Sequence, residues 1–111
     1  MTDSELLDCA PTCAVDHEVD EELDRVILLQ PRFRWRLLQR LLTPHPSQRY
    51  VKIHLDALGT WVWRHLDGET PLRRLVTDIE AEFPEEPDAA LRLLLFVRQL
   101  AGNGLISLGG S

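Results

Sequence analysis

No stretch of this 111-residue chain approaches the roughly 18–20 consecutive apolar residues that a membrane-spanning helix needs. The longest apolar run is residues 93–97. Basic residues are missing from the N-terminus, which carries Asp3 and Glu5 and no long apolar core. The pattern of a secretory signal is therefore absent, and the expected location is the cytoplasm. Catalytic motifs are missing as well. There is no phosphate-cradling glycine-rich loop, no Gly-x-Ser-x-Gly elbow and no His-Glu-x-x-His pair. The few serines, Ser4, Ser47, Ser107 and Ser111, lie mostly in termini or loops, and the carboxylates between Glu80 and Asp88 read as a solvated rim. A non-enzymatic role without a cofactor is expected.

Cysteine is scarce. Cys9 and Cys13 form Cys-x3-Cys-x3-His with His17, a spacing that lacks a fourth ligand for zinc. The reading is a pair of reduced thiols and no metal site, with a reversible disulfide as the alternative. His45, His54 and His65 are scattered and have no carboxylate or cysteine at ligand spacing on a common face. They read as surface or half-buried structural histidines.

What is present is a chain of ordinary globular composition, 44% hydrophobic and 27% charged, with room for one modest core. Its formal net charge of −6 argues against a general nucleic-acid binder. The charges are segregated. Residues 1–24 hold nine carboxylates and no Lys or Arg, whereas residues 25–52 hold Arg25, Arg32, Arg34, Arg36, Arg40, Arg49 and Lys52 and no acid. The two segments can attract one another, or the basic one can meet an acidic partner.

Residues 1–20 are polar and acidic without sustained periodicity, so a loose N-terminal tail is expected, with the folded domain over residues 21–111. Residues 26–29 suit a first strand ended by Pro31. Residues 33–42 fit both periods, with Phe33, Trp35 and Leu37 alternating and Phe33, Leu37 and Leu41 recurring every fourth residue. Pro44 and Pro46 make residues 43–47 a loop. Residues 49–55 are the clearest strand, with Tyr50, Lys52 and His54 on one face and Val51, Ile53 and Leu55 on the other.

Asp56 then caps a helix running to about Leu66, in which Trp61 is expected in the core. Trp63, two residues on, must face elsewhere, towards either residues 33–42 or a contact surface. Gly59 sits in the middle of that helix, where close packing of another backbone is the expected reason. Asp67 and Gly68 end it. Thr70 is the expected N-cap of the next helix, with Pro71 in its first turn. Leu72, Leu75, Val76, Ile79 and Phe83 form its apolar stripe. A further helix runs from about Pro87 to Ala101, and residues 105–108 suit a short final strand. Strands followed by three helices give an α+β class.

That last helix has more apolar surface than one core uses. At roughly 100° per residue, Ala90, Leu93, Leu94, Phe96, Val97 and Leu100 fill one arc. Leu91 and Leu95 lie beyond it with Arg98 between them, while Arg92 and Gln99 face water. From the pattern alone, the second sector is either sandwiched or offered to a partner.

Residues 54–71, HLDALGTWVWRHLDGETP, resemble the central signature of the PqqD family. That signature is a strand ending in Leu-Asp, a helix with a bulky apolar pair, then Asp-Gly and a helix beginning at Thr. The later helices and the closing Gly102-Asn103-Gly104-Leu105-Ile106 extend the likeness to about residues 25–108. The resemblance implies a winged-helix-like domain, a three-stranded antiparallel sheet with three helices. It further implies a recognition element for ribosomally made, later modified peptides. The leader of a precursor peptide would add as a strand to the sheet edge and lie against the third helix, presented to a modifying enzyme such as a radical SAM protein. On this sequence the peptide-binding set becomes Tyr50, Val51, Lys52, Ile53 and His54 with Leu91, Leu94, Leu95 and Arg98. Lys52 and Arg98 would suit an acidic leader. Residues 33–48 look longer than the family's short hairpin, and the acidic tail has no counterpart in it. The competing readings are a DNA-binding winged-helix regulator and a homodimerisation module.

Overall fold

The computed structural model describes residues 2–31 and 50–108. Residues 33–48, read above as helix or strand and then loop, lie outside the described residues. Among the described residues the order is α1 (Asp3–Leu7), β1 (Thr12–Cys13), β2 (His17–Asp20), β3 (Arg25–Pro31) and β4 (Tyr50–His54). These are followed by α2 (Ala57–Arg64), α3 (Leu72–Glu82), α4 (Ala89–Gly102) and β5 (Ile106–Ser107). The expected α+β class with a small antiparallel sheet is observed, but its parts differ from the expectation.

The main sheet is antiparallel in the order β2-β3-β4, so among the described residues β3 is central and the other two are edges. The first strand comes from the segment expected to be a loose tail. Asp20 Oδ1 accepts the N–H groups of Glu22 and Leu23, and Asp24 takes a left-handed conformation (φ 53°) that aspartate tolerates. The acidic run 21–24 is therefore a hairpin turn, and Asp24 also pairs with Arg64 at 2.9 Å. Residues 105–108 do not join this sheet. Within them β5 pairs with β1 in a separate two-stranded ladder.

The rest of the N-terminal segment is also part of the fold. Leu6 of α1 is buried in the core. The carbonyl of Cys9 accepts the N–H of Leu72, that of Pro11 the N–H of Gly68, and that of Leu105 the N–H of Ala14. This explains how α3 starts. Pro71, not Thr70, holds the N-cap position, and Cys9 satisfies a first-turn N–H that no side chain caps. The Thr70 hydroxyl instead donates to Asp67 Oδ2, whose other oxygen accepts the N–H groups of Glu69 and Thr70. Gly68 in that turn has φ 78°, which favours glycine.

The core lies between β3 and the helices. Val26 and Leu28 of β3 meet Leu58 and Val62 of α2, Leu72, Leu75 and Ile79 of α3, and Leu93, Val97 and Leu100 of α4, all buried. Thr60 is buried among them, and its hydroxyl accepts the N–H of Val26 at 3.0 Å. Of the two tryptophans of α2, Trp63 is the buried one, and Trp61, expected in the core, packs against it only partly buried. Trp63 is 2% exposed beneath the N-terminal segment, with the His17 ring edge-on at 6.2 Å. Trp61 is half-buried, stacked on His65 and edge-on to Phe83. His17, from the segment that composition assigned to a loose tail, is part of what covers Trp63, while residues 33–42 lie outside the described residues.

Candidate functional site

The register of β4 decides which of its backbone groups are available. Leu55 N–H donates to Val26 C=O, and Leu29 N–H donates to Asp16 C=O on the far side of β3. With Ile53 opposite Leu28 and Lys52 opposite Leu29, the alternation of an antiparallel ladder turns Ile53 towards β3. The N–H and C=O groups of Lys52 and His54 then face outwards, and no described strand lies beyond β4. The side chains alternate as expected where they are described. Lys52 and His54 are exposed, Ile53 is half-buried and Leu55 is buried. Tyr50 and Val51 enter the site as strand backbone.

The chain leaves β4 directly into α2. Asp56 caps that helix, accepting the N–H of Gly59 at 2.8 Å. Here α4 crosses close by, and the two helices enclose an open cleft of about 250 Å³. Asp56, Leu58 and Gly59 line one side of it, and Arg92, Leu95, Phe96 and Gln99 the other. Arg92 spans the rim, with Nη2 3.2 Å from Asp56 Oδ2 and Nη1 2.8 Å from Glu86 Oε2. Leu95 is 57% exposed and Leu91, one turn earlier, 55%. The opposite face of α4, with Ala89, Leu93, Val97 and Leu100, is buried. Among the described residues nothing covers the second apolar sector of this helix.

The expected peptide-binding residues are only partly brought together. Residues 50–54 form the edge, Leu95 lines the cleft beside its end, and Leu91 stands exposed on the same side of α4. Leu94 is half-buried against the core. Arg98 is turned to α1, where it pairs with Asp3. Lys52 pairs with Glu18 of β2 across the central strand, at 3.4 Å. Both cations expected to meet an acidic leader are therefore paired with carboxylates of the N-terminal segment. Sequence reasoning placed Arg92 and Gln99 in water and gave Asp56 only a capping role. Gly59 was the one visible signal, because glycine is disfavoured inside a helix.

Cys9, Cys13 and His17 do not converge. Cys9 Sγ faces the Glu5 carbonyl, and Cys13 Sγ lies 3.9 and 3.7 Å from the carbonyls of Trp63 and Leu66. Burial raises the Cys13 thiol above its ordinary pKa. Among the described residues no group of three His, Cys, Asp or Glu side chains is placed to hold a metal, and no helix is long and apolar enough to cross a membrane.

The family profile of coenzyme PQQ synthesis protein D (PqqD) matches residues 35–106. The chain belongs to the PqqD family. This is a family of recognition elements for ribosomally synthesised, post-translationally modified peptides. The PqqD match contains β4, α2, α3, α4 and every residue that lines the cleft. It leaves out α1, β1, β2 and β3, so both the helix that holds Arg98 and the strand that holds Lys52 precede it. Comparison with curated proteins gives no match, and comparison with solved structures gives none.

Proposed function

We propose that this PqqD-family chain is a non-catalytic module that binds the leader of a ribosomally made precursor peptide and presents it to a modifying enzyme. The leader adds as a further strand to β4, in a winged-helix-like arrangement of the sheet with α2, α3 and α4. A radical SAM protein is the kind of enzyme it would serve. One observation carries this reading: the outward N–H and C=O groups of Lys52 and His54 run straight into a cleft walled by Leu95 of α4. Strand addition uses such backbone groups for affinity and adjacent pockets for register.

The DNA-binding reading has less support. A wing that meets phosphate needs cations, whereas the β2–β3 hairpin carries Glu18, Asp20, Glu21, Glu22 and Asp24. The exposed ridge of α4 offers Leu91 and Leu95. Self-pairing through β4 is the third reading, and sedimentation with and without peptide separates it from peptide capture.

The test is a titration with a peptide selected by the full chain from a random-peptide display library. Leu95→Asp should weaken binding by at least about tenfold, since it places a charge in the groove, while leaving the exposed position's contribution to folding small. Unchanged affinity would remove α4 from the binding surface.

A further inference from the structure

Resting on the peptide-binding reading above, we infer that the cleft between α2 and α4 is a specificity pocket for one aromatic side chain of the bound peptide, tyrosine or tryptophan, and that Gly59 sets its size. A glycine in the middle of a helix calls for a reason in space. A Cβ at Gly59 would stand 3.4 Å from Phe96 Cζ, 3.4 Å from Leu55 Cβ and 3.2 Å from Asp56 Oδ1. The approach to Asp56 is tight, and the other two are at close van der Waals contact, one of them with the ring that lines the pocket. The bare backbone of Gly59 is what leaves room beside Phe96. It does not serve the approach of another backbone, the reason expected from sequence.

The pocket has an apolar floor and a polar rim. Leu58, Leu95 and Phe96 offer aliphatic and ring surface, against which an aromatic side chain packs well. The volume of about 250 Å³ admits one such side chain. At the rim, two carboxylates, Asp56 and Glu86, share the single guanidinium of Arg92. This leaves one negative charge in surplus. Asp56 accepts one bond at each oxygen, from Gly59 N–H and from Arg92, and an ionised carboxylate has about four acceptor sites. A side chain that donates from its tip complements this rim, and one that carries a carboxylate is repelled. The phenol of tyrosine and the indole of tryptophan combine the donor with the apolar body. The pocket opens beside the end of β4, so its occupant would lie at one fixed place in the added strand.

Selection of a random-peptide display library on the full chain should enrich peptides that share one tyrosine or tryptophan. For a synthetic peptide from that set, replacing the shared aromatic by alanine should weaken binding at least about tenfold. Replacing it by phenylalanine should weaken binding less. Gly59→Val should weaken the parent peptide to a similar extent, yet the alanine-substituted peptide should bind wild type and variant alike. Circular dichroism checks the fold of the variant. If valine is not tolerated, Gly59→Ala supplies the same comparison with a smaller effect. Enriched peptides sharing an acidic or basic residue at that place, or variants that weaken both peptides equally, overturn the pocket and leave strand addition standing. A library that yields no binder overturns both.

Discussion

The buried N–H of Val26 donates to the hydroxyl of Thr60 at 3.0 Å, tying the central strand of the sheet to the helix that follows its edge strand. Val26 is 0% and Thr60 3% exposed, so water cannot replace either partner. Thr60→Val keeps the shape and removes the acceptor. Leaving a buried N–H unpaired costs about 1–3 kcal/mol. Urea denaturation should show the variant destabilised by that amount, and Thr60→Ser should recover most of it. Equal midpoints for wild type and valine variant would mean that the bond contributes nothing.

Leu6 tests whether the N-terminal segment belongs to the fold. It is 1% exposed, in a helix that composition alone assigns to a loose tail. Truncating a buried leucine to alanine costs about 2–5 kcal/mol, through lost burial and the cavity left behind. Leu6→Ala should lower the urea midpoint accordingly. An unchanged midpoint would restore the loose tail.

The turn between α2 and α3 makes a prediction about acid. Asp67 has its pKa lowered, first by the backbone N–H groups of Thr70 and Glu69 and then by the Thr70 hydroxyl. A carboxylate whose folded pKa is depressed stabilises the fold above its unfolded pKa, about 3.9 for aspartate. That stabilisation is lost as pH falls through the folded value. Asp67→Asn keeps an acceptor for the same N–H groups and removes the titration. The variant should be less stable than wild type at neutral pH, and the difference should shrink as pH falls below about 4. A difference that stays constant with pH would contradict this assignment.

Much of the fold was legible because the relevant residues are half-buried and periodic. In β4 and the residue after it the inward Ile53 and Leu55 alternate with the outward Lys52 and His54. In α3 Leu72, Leu75 and Ile79 recur on one face, and Asp56 announced the start of α2. The strand β2 was not legible for the opposite reason. It is an edge whose His17, Glu18 and Val19 are all exposed, so no alternation marks it. Missing β2 meant missing the His17 ring that packs on Trp63. Missing β2 and α1 also hid the carboxylates that hold Lys52 and Arg98, because partners so distant in sequence leave no local pattern. The open sector at Leu91 and Leu95 was visible as surplus apolar surface, and only packing could say that nothing described covers it.

Hydrogen exchange of the β4 amides tests the central claim most directly. In the free protein the N–H of Ile53, bonded towards β3, should exchange slowly, while those of Lys52 and His54, facing outwards, should exchange faster. On saturation with a peptide selected by the full chain, the amides of Lys52 and His54 should become protected and that of Ile53 should change little. Protection appearing instead at His17 and Val19, the outward groups of the opposite edge, or no change at Lys52 and His54, would contradict strand addition to β4.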